Sequence, residues 1–472
     1  MFNSILFPES SQNILADTPA SSTGTASTAN SFSSNCPACF KDLNLDQVFN
    51  PILNIESEYD LASYFYTPVQ DVKTVLYRQE VQKDLDNREI FSLYDNFSRN
   101  IFKISRDMKS YAAEYKNKEN NSLISKGHML SYAQQYVTEI ENLLENADKL
   151  EIKSKGLTEF NNYLAEYIKT EKFNSFIEDT KKIRALFDEK EYSIFIKNGT
   201  IKVLKYNGEK DNCTEVENLF GKFIEEGSKD YLQKFPDRPK SEHIENKILI
   251  MLEKIYPKEF NLLDKFFASY LDFVNDTIYR FSREIRFFIG WKNFTENLKD
   301  KGLNFCYPTL AENSPVAQAS NSGDTPASHS GPALFATDFF DIALAVKLKG
   351  NLVTNSFTLT PPERIMVITG PNQGGKTTFA RSVGQLFYLT SLGLSVPGKE
   401  ATLTVTDKIL THFEKEEKFT TQKGKLQDDI ERLHNILSQA TNKSLIIVNE
   451  IYASTTLKDA LKLGNYMIND IA

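Results

Sequence analysis

The chain has 472 residues, enough for two or three domains that each bury a core, and its 40% hydrophobic and 25% charged residues are ordinary for a soluble globular protein. A net charge of −8 gives no global attraction toward nucleic acid, so DNA binding would need a local basic stripe or a groove between two chains. No apolar run reaches the roughly 18 residues of a membrane span. The opening MFNSILFPES has neither a basic start nor an apolar stretch long enough for a signal peptide, which points to the cytoplasm.

Residues 9–35 and 311–333 are built from Ser, Thr, Ala, Asn, Gly and Pro, and both contain Asp-Thr-Pro-Ala-Ser, at 17–21 and 324–328. Too little apolar surface is present in either to offset the entropy of ordering, so both are expected to be mobile. Residues 1–44 are read accordingly as a mobile N-terminal segment, and 311–335 as a linker between two unlike halves. Four cysteines are too few for a disulfide framework. Cys36 and Cys39 form a CPAC step, but Cys213 and Cys306 stand alone, so the second pair of a zinc site is missing. The Ser/Asn-rich flanks offer no strand–helix context for redox work, which leaves two free thiols in a flexible arm.

From 45 to 310 the pattern is helical. At Thr67-Pro68-Val69-Gln70 a Thr cap, a Pro at the first helical position and a Gln completing a capping box predict a helix start. Leu130, Ala133, Val137, Ile140, Leu143, Leu144, Ala147 and Leu150 recur every three or four residues and make one apolar helix face. Residues 192–197 and 200–206 alternate in character around Asn198-Gly199, a dipeptide suited to a type I′ hairpin turn. From Pro257 to Gly290 no Gly or Pro intervenes, and Leu262, Phe266, Tyr270, Val274, Ile278, Phe281, Ile285 and Phe288 form a stripe. That spacing predicts one helix on the order of 45 Å, a lever or the spine of a bundle.

From 336 onward the reading is α/β. Strands are expected at 352–359 and 365–369, the second feeding a glycine-rich loop. A helix, a strand near Leu403, a helix over 427–440, a buried strand over 444–448 and a last helix over 456–471 follow. The loop itself, Gly370, Pro371, Asn372, Gln373, Gly374, Gly375, Lys376 and Thr377, fits G-x-x-x-x-G-K-[ST] at every fixed position, with Thr378 next. Glycines let a backbone curl so that its N–H groups face a phosphate. Lys376 would reach the β- and γ-phosphates of ATP and the Thr377 hydroxyl would ligate Mg²⁺. Strand 444–448 ends in Asn449 and Glu450, the Walker B arrangement. Glu450 would orient or deprotonate the attacking water, so Glu450 and Lys376 are the catalytic candidates. Asn449 stands where an Asp would help hold the metal; it keeps the oxygen acceptor and loses the charge. His412, followed by Glu414, Glu416 and Glu417, is read as part of a solvated loop and not as a metal site.

Several segments, in order, resemble the MutS family of DNA mismatch-repair ATPases. ITGPNQGGKTT, from Ile368, is similar to that family's P-loop with its Pro-Asn after the first Gly. Gly393, Val396-Pro397, Ala401, Asp407, Ile409 and Thr411 resemble the run that follows it. ILSQATNKSLIIVNE resembles the stretch into Walker B, and Thr455 falls where the family has a Thr. Pro68, Asp71, Val75, Arg78-Gln79 and Val81 are similar to an element of the family's core domain. The likeness covers 340–472 more closely than 60–150.

Departures limit what carries over. Gly424 to Asp429 stands for the family's Ser-rich signature loop, with Gly424 in place of serine and Asp429 in place of glutamate. Ile451-Tyr452-Ala453-Ser454 lacks the paired glycines of the loop after Walker B. Too little chain precedes residue 60 for a mismatch-reading domain, and the 192–206 hairpin is too small for a DNA clamp.

The resemblance implies an α + α/β fold: a helical core/lever domain over 45–310, then a P-loop ATPase domain of the ABC/MutS type over 336–472. It implies a Mg²⁺-dependent, slow ATPase that couples nucleotide state to helix movement, acting on DNA in mismatch repair or a related maintenance process. A homodimer is implied for a full-length form. Further strands and subunit-joining helices are expected beyond Ala472, so this chain is read as C-terminally short and poorly dimerising. The alternative is a nucleotide-binding interaction module with little hydrolysis and no mismatch recognition, favoured by Asn449, the altered signature loop and the early chain end. An ABC- or SMC-type ATPase unrelated to repair fits less well, because Pro68 to Val81 matches the MutS core.

Overall fold

The computed structural model describes residues 2–8, 36–116, 123–197, 200–209, 242–311, 333–348, 352–414, 425–451 and 455–471. In chain order, helices α1 (Cys39–Asp42), α2 (Leu45–Ile55), α3 (Ala62–Tyr66), α4 (Val72–Leu85), α5 (Arg88–Lys116), α6 (Leu123–Ala147), α7 (Lys155–Tyr167) and α8 (Glu171–Asp188) lead to a hairpin of β1 (Tyr192–Lys197) and β2 (Thr200–Lys205). Helices α9 (Glu242–Ile255), α10 (Pro257–Ser269) and α11 (Asp276–Lys299) follow. The remainder is β3 (Phe305–Cys306), β4 (Thr309–Leu310), β5 (Leu334–Phe339), α12 (Ile342–Lys347), β6 (Asn355–Leu359), α13 (Lys376–Leu392), β7 (Val396–Pro397), β8 (Glu400–Leu403), β9 (Ile409–His412), α14 (Lys425–Gln439), β10 (Leu445–Val448) and α15 (Leu457–Ile471). No helix among the described residues is long and apolar enough to cross a membrane.

The fold divides into two units, and not at the 311–335 segment. One comprises Met1–Ser98, Asn146–Tyr163 and Arg280–Ala472; the other comprises Arg99–Glu145 and Leu164–Tyr279. Both ends of the helical half therefore belong with the strands, and polar bonds show why. Gln79 Nε2 donates to Pro308 O at 3.2 Å, and the indole N–H of buried Trp291 donates to Ser395 Oγ at 3.0 Å.

The first unit carries the strands. A four-stranded sheet runs β4-β8-β5-β6, with β4 parallel to β8 and β5 antiparallel to both of its neighbours. β9 and β10 form a parallel pair, and β3 pairs antiparallel with β7. Phe49 packs between Phe40 and Phe65, with ring centroids 5.7 and 4.7 Å away. The buried Tyr388 hydroxyl of α13 donates to Phe65 O at 2.8 Å. Nearby, buried Arg286 bonds both oxygens of buried Glu56 as well as Asp95. The expected mobile N-terminal segment is corrected here: Ile5 and Leu6 are fully buried, and Cys39, Phe40 and Leu43 also lie in the core. A few large apolar side chains at each end of the low-complexity stretch supply enough buried area to outweigh ordering entropy. The Asp-Thr-Pro-Ala-Ser repeats lie outside the described residues.

The second unit is built on aromatic packing. Tyr136 of α6 meets Phe273 at 5.3 Å, and Phe176 of α8 meets Phe273 at 5.0 Å and Tyr270 at 5.1 Å. The hairpin pairs Lys197 with Thr200, in the expected register; its Asn198-Gly199 turn lies outside the described residues.

Three local expectations are overturned. The single helix from Pro257 to Gly290 breaks between Ser269 and Asp276, because the Asn275 side chain accepts the N–H groups of Thr277 and Ile278, while the Asn275 N–H donates to the Tyr136 hydroxyl. The helix expected from Thr67 starts at Val72, where the Asp71 carboxylate caps Lys73 and Thr74 N–H. Gln70 instead donates to Asp407 O at 2.9 Å. Finally, residues 365–369 form no strand, and Val367 is 73% exposed. A strand exists only as part of a ladder, and among the described residues nothing pairs with this apolar run.

Candidate functional site

The glycine-rich loop closes onto the N-terminus of α13. Gly375 caps that helix in the left-handed region, with φ of 86°, and a Cβ on Gly374 would lie 2.9 Å from Pro371 O. Only glycine satisfies both positions without strain. The N–H of Gly374 donates back to Pro371 O at 3.1 Å, which sets the curl. Lys376 Nζ folds over the loop and donates to Gly370 O at 2.9 Å, Pro371 O at 3.1 Å and Asn372 Oδ1 at 3.4 Å. All three acceptors are neutral. A phosphate oxygen would compete well for that ammonium, since charge-assisted bonds are about twice as strong as neutral ones. The first N–H groups of α13 have no intrahelical partner and favour an anion at the same place.

Thr377 and Thr378 sit half-buried in the first turn. Thr377 Oγ1 donates to Asn449 Oδ1 at 3.1 Å, bringing together two residues from distant elements. Asn449 is delivered by β10, whose parallel register with β9 places Val448 opposite His412. The Asn449 N–H extends that ladder by donating to His412 O at 2.9 Å. Glu450 follows at an exposed position with φ of 53°. It shares the end of β10 with Asn449 and makes no hydrogen bond to Lys376 or Thr377. Left-handed backbone at a non-glycine residue is uncommon and turns the chain sharply here.

Behind this loop lies a layer the sequence reading missed. Asp42, the last residue of α1, accepts from Thr411 Oγ1 at 2.7 Å, and its carbonyl accepts from Arg381 Nε at 2.9 Å. Gln385 of α13 donates to Leu43 O and Asp341 Oδ1, at 2.9 and 3.0 Å. α13 and β9 are thus held by an N-terminal helix assigned to the mobile arm. The available signal was the apolar spacing of Cys39, Phe40, Leu43 and Leu45 just after the low-complexity stretch. Cys36 and Cys39 are free thiols, as read, but not in a flexible arm. Burial pushes the Cys39 thiol up to about 12, so it stays protonated and unreactive at neutral pH.

His412 is also corrected: it closes β9 and is buried, not part of a solvated loop. Its Nε2 is 3.3 Å from Asp429 Oδ1 but poorly aligned for a hydrogen bond, and Nδ1 has no hydrogen-bond partner among the described residues. Burial, then Arg432, pulls the imidazole below its ordinary pKa and keeps it neutral. Asp429, expected in a signature loop, is buried on α14; Gly424 and 452–454 lie outside the described residues. No cluster of His, Cys, Asp and Glu fit to hold a metal occurs among the described residues.

Residues 366–472 match the family model for MutS domain V, and residues 70–301 match that for the MutS2 N-terminal domain. The chain belongs to the MutS family. The second match extends the likeness across almost all of the helical half, well beyond the 60–150 region legible from motifs. Among relatives, a DNA mismatch repair protein MutS of Clostridium botulinum (strain Loch Maree / Type A3) is 27% identical over 228 residues, 48% of this chain and 22% of the relative. One of the same name from Clostridium tetani (strain Massachusetts / E88) is 34% identical over 116 residues, 24% of this chain and 13% of the relative. The chain thus spans less than a quarter of the length of these MutS relatives.

Proposed function

We propose that the chain binds ATP with Mg²⁺ at Gly370 to Thr378 and hydrolyses it slowly, coupling nucleotide state to helix movement on DNA in mismatch repair or a related maintenance process. The hydrogen bond from Thr377 to Asn449 carries this reading, because it joins the P-loop to the end of the Walker B strand. Two neutral oxygens side by side suit a hard cation that takes the rest of its oxygens from phosphate and water. Bound there, Mg²⁺ would neutralise charge on the transferring phosphate. Lys376 would exchange its three loop acceptors for phosphate oxygens, and Glu450 would orient the attacking water. The MutS-family match and the names of the two relatives support a DNA-linked role.

A second reading, nucleotide binding with little hydrolysis, is favoured by one observation: the Walker B acceptor is the neutral Asn449, so metal binding loses a charge. Equilibrium ATP binding and phosphate release measured in parallel separate the two. Binding with release supports the first reading, binding without release the second, and no binding removes both.

Binding of DNA by this chain should be weak, salt-sensitive and indifferent to a mismatch, since a net charge of −8 leaves only local Lys and Arg contacts to phosphate. Fluorescence anisotropy with matched and mismatched duplexes over a salt series, with and without ATP, checks this. A clear preference for the mismatch would contradict it.

A further inference from the structure

Residues 2–7 are held by side chains from three helices of the first unit. Glu284 Oε2 on α11 accepts from Ser4 Oγ at 2.8 Å and from the Ile5 N–H at 3.0 Å. Tyr77 of α4 donates its hydroxyl to Ser4 O at 2.9 Å, and Arg280 donates to Asn3 O at 3.2 Å. The Phe2 ring packs on Phe160 of α7 and Phe281 of α11, with centroids 5.2 and 6.1 Å away. Ile5 fills a slot that exists because position 156 is glycine: a Cβ there would lie 2.7 Å from Ile5 Cδ1.

The next residues of the segment meet Arg78 of α4. Its guanidinium is fully buried, and burial pulls its pKa down to about 10, which still leaves a cation at neutral pH. A buried cation is tolerated only where its donors are satisfied. Here Nε donates to Leu6 O and Nη1 to Leu392 O, each at 3.0 Å, while Phe7 and Phe287 present ring faces at 4.8 and 5.6 Å. Leu392 is the last residue of α13, so one cation joins the N-terminal segment to an orphan carbonyl at the negative end of that helix. The stem of Arg78 packs against Gly393, where a Cβ would lie 2.7 Å from Arg78 Cβ. The glycine-rich loop stands at the other end of the same rigid helix, 17 residues long.

We propose that residues 2–7 form a strap that fixes Arg78 against the last turn of α13, making Arg78 a positioning residue for the glycine-rich loop. The strap supplies one of the two carbonyls and one of the two rings around the guanidinium. Undocking it leaves Arg78 half-satisfied and loosens the end of α13 that the Gly393 and Leu394 N–H groups close. The strap is short, and the anchors described for it all lie within residues 2–7. Its effect on nucleotide rests on the ATP-binding reading above; its effect on α13 does not.

The test uses the full chain with Ile5→Asp, followed by hydrogen exchange and ATP affinity. Amides of Gly393 and Leu394 should exchange at least about ten-fold faster while amides of α6 stay unchanged, and ATP affinity should fall about three- to ten-fold. A synthetic peptide of residues 1–8, added in excess, should restore both. Should Ile5→Asp fail to fold, Arg78→Lys keeps the charge but reaches one carbonyl, and should give a smaller change of the same pattern. Unchanged exchange at the α13 end, or acceleration spread equally over both units, would overturn the proposal. If the wild type binds no ATP, the nucleotide reading fails, and the exchange pattern with peptide rescue alone decides for or against the strap.

Discussion

Glu450→Gln should lower ATP turnover by about 10²- to 10⁴-fold while leaving ATP affinity within about two-fold of wild type. The carboxylate follows directly on Asn449, whose side chain accepts from Thr377, so the proposed site has it next to the metal-binding oxygens. The substitution keeps shape and hydrogen-bonding oxygen but removes the carboxylate proposed to act as base and to hold a water. Its effect should therefore fall on chemistry and not on binding. Single-turnover phosphate release beside equilibrium binding checks both halves; equal losses in both would show that Glu450 supports the fold of the site instead. Asn449→Asp, which restores the charge, should lower the Mg²⁺ concentration needed.

Glu56→Ala should destabilise the chain by about 1.5–3 kcal/mol, because buried Arg286 loses its bidentate carboxylate and keeps only Asp95. Arg286 donates to both oxygens of Glu56, and the Tyr59 ring lies 5.0 Å from its guanidinium. Both partners are almost fully buried, so water cannot replace the lost carboxylate. Urea unfolding measures the loss. Replacing both partners, Glu56→Met with Arg286→Met, should recover part of it, since no buried cation remains and Asp95, which loses its ion pair with Arg286, is the less buried of the two carboxylates. A single-variant loss under about 1 kcal/mol would mean that the site admits water.

What was legible in the sequence was local. Gly374, Gly375, Lys376 and Thr377 announce a loop through their own backbone and side-chain chemistry, and the 192–206 hairpin through alternation about Asn198-Gly199. Where two local signals compete, sequence ranks them poorly: Thr67 and Asp71 can both cap, and the better-placed carboxylate wins. Asn275 was hidden inside an apolar stripe whose period continues through the break. Non-local partners account for the rest. The strap is a handful of residues whose anchors, Tyr77, Arg78 and Glu284, are distant in sequence. Asp42 gains its role from Thr411 and Arg381. The two units interleave along the chain because whole helices return to pack with the strands, which no linear change of composition marks.

On the proposed function, the glycine-rich loop is a nucleotide-phosphate site worked by Lys376. Calorimetric titration of ATP with Mg²⁺ into the full chain, wild type and Lys376→Ala, tests it most directly. A charge-assisted hydrogen bond is worth about 1.5–3 kcal/mol, so the substitution should weaken binding about 10- to 100-fold. Saturation at one ATP per chain in the wild type, with that loss in the variant, is the predicted result; equal affinity in the two proteins would contradict it.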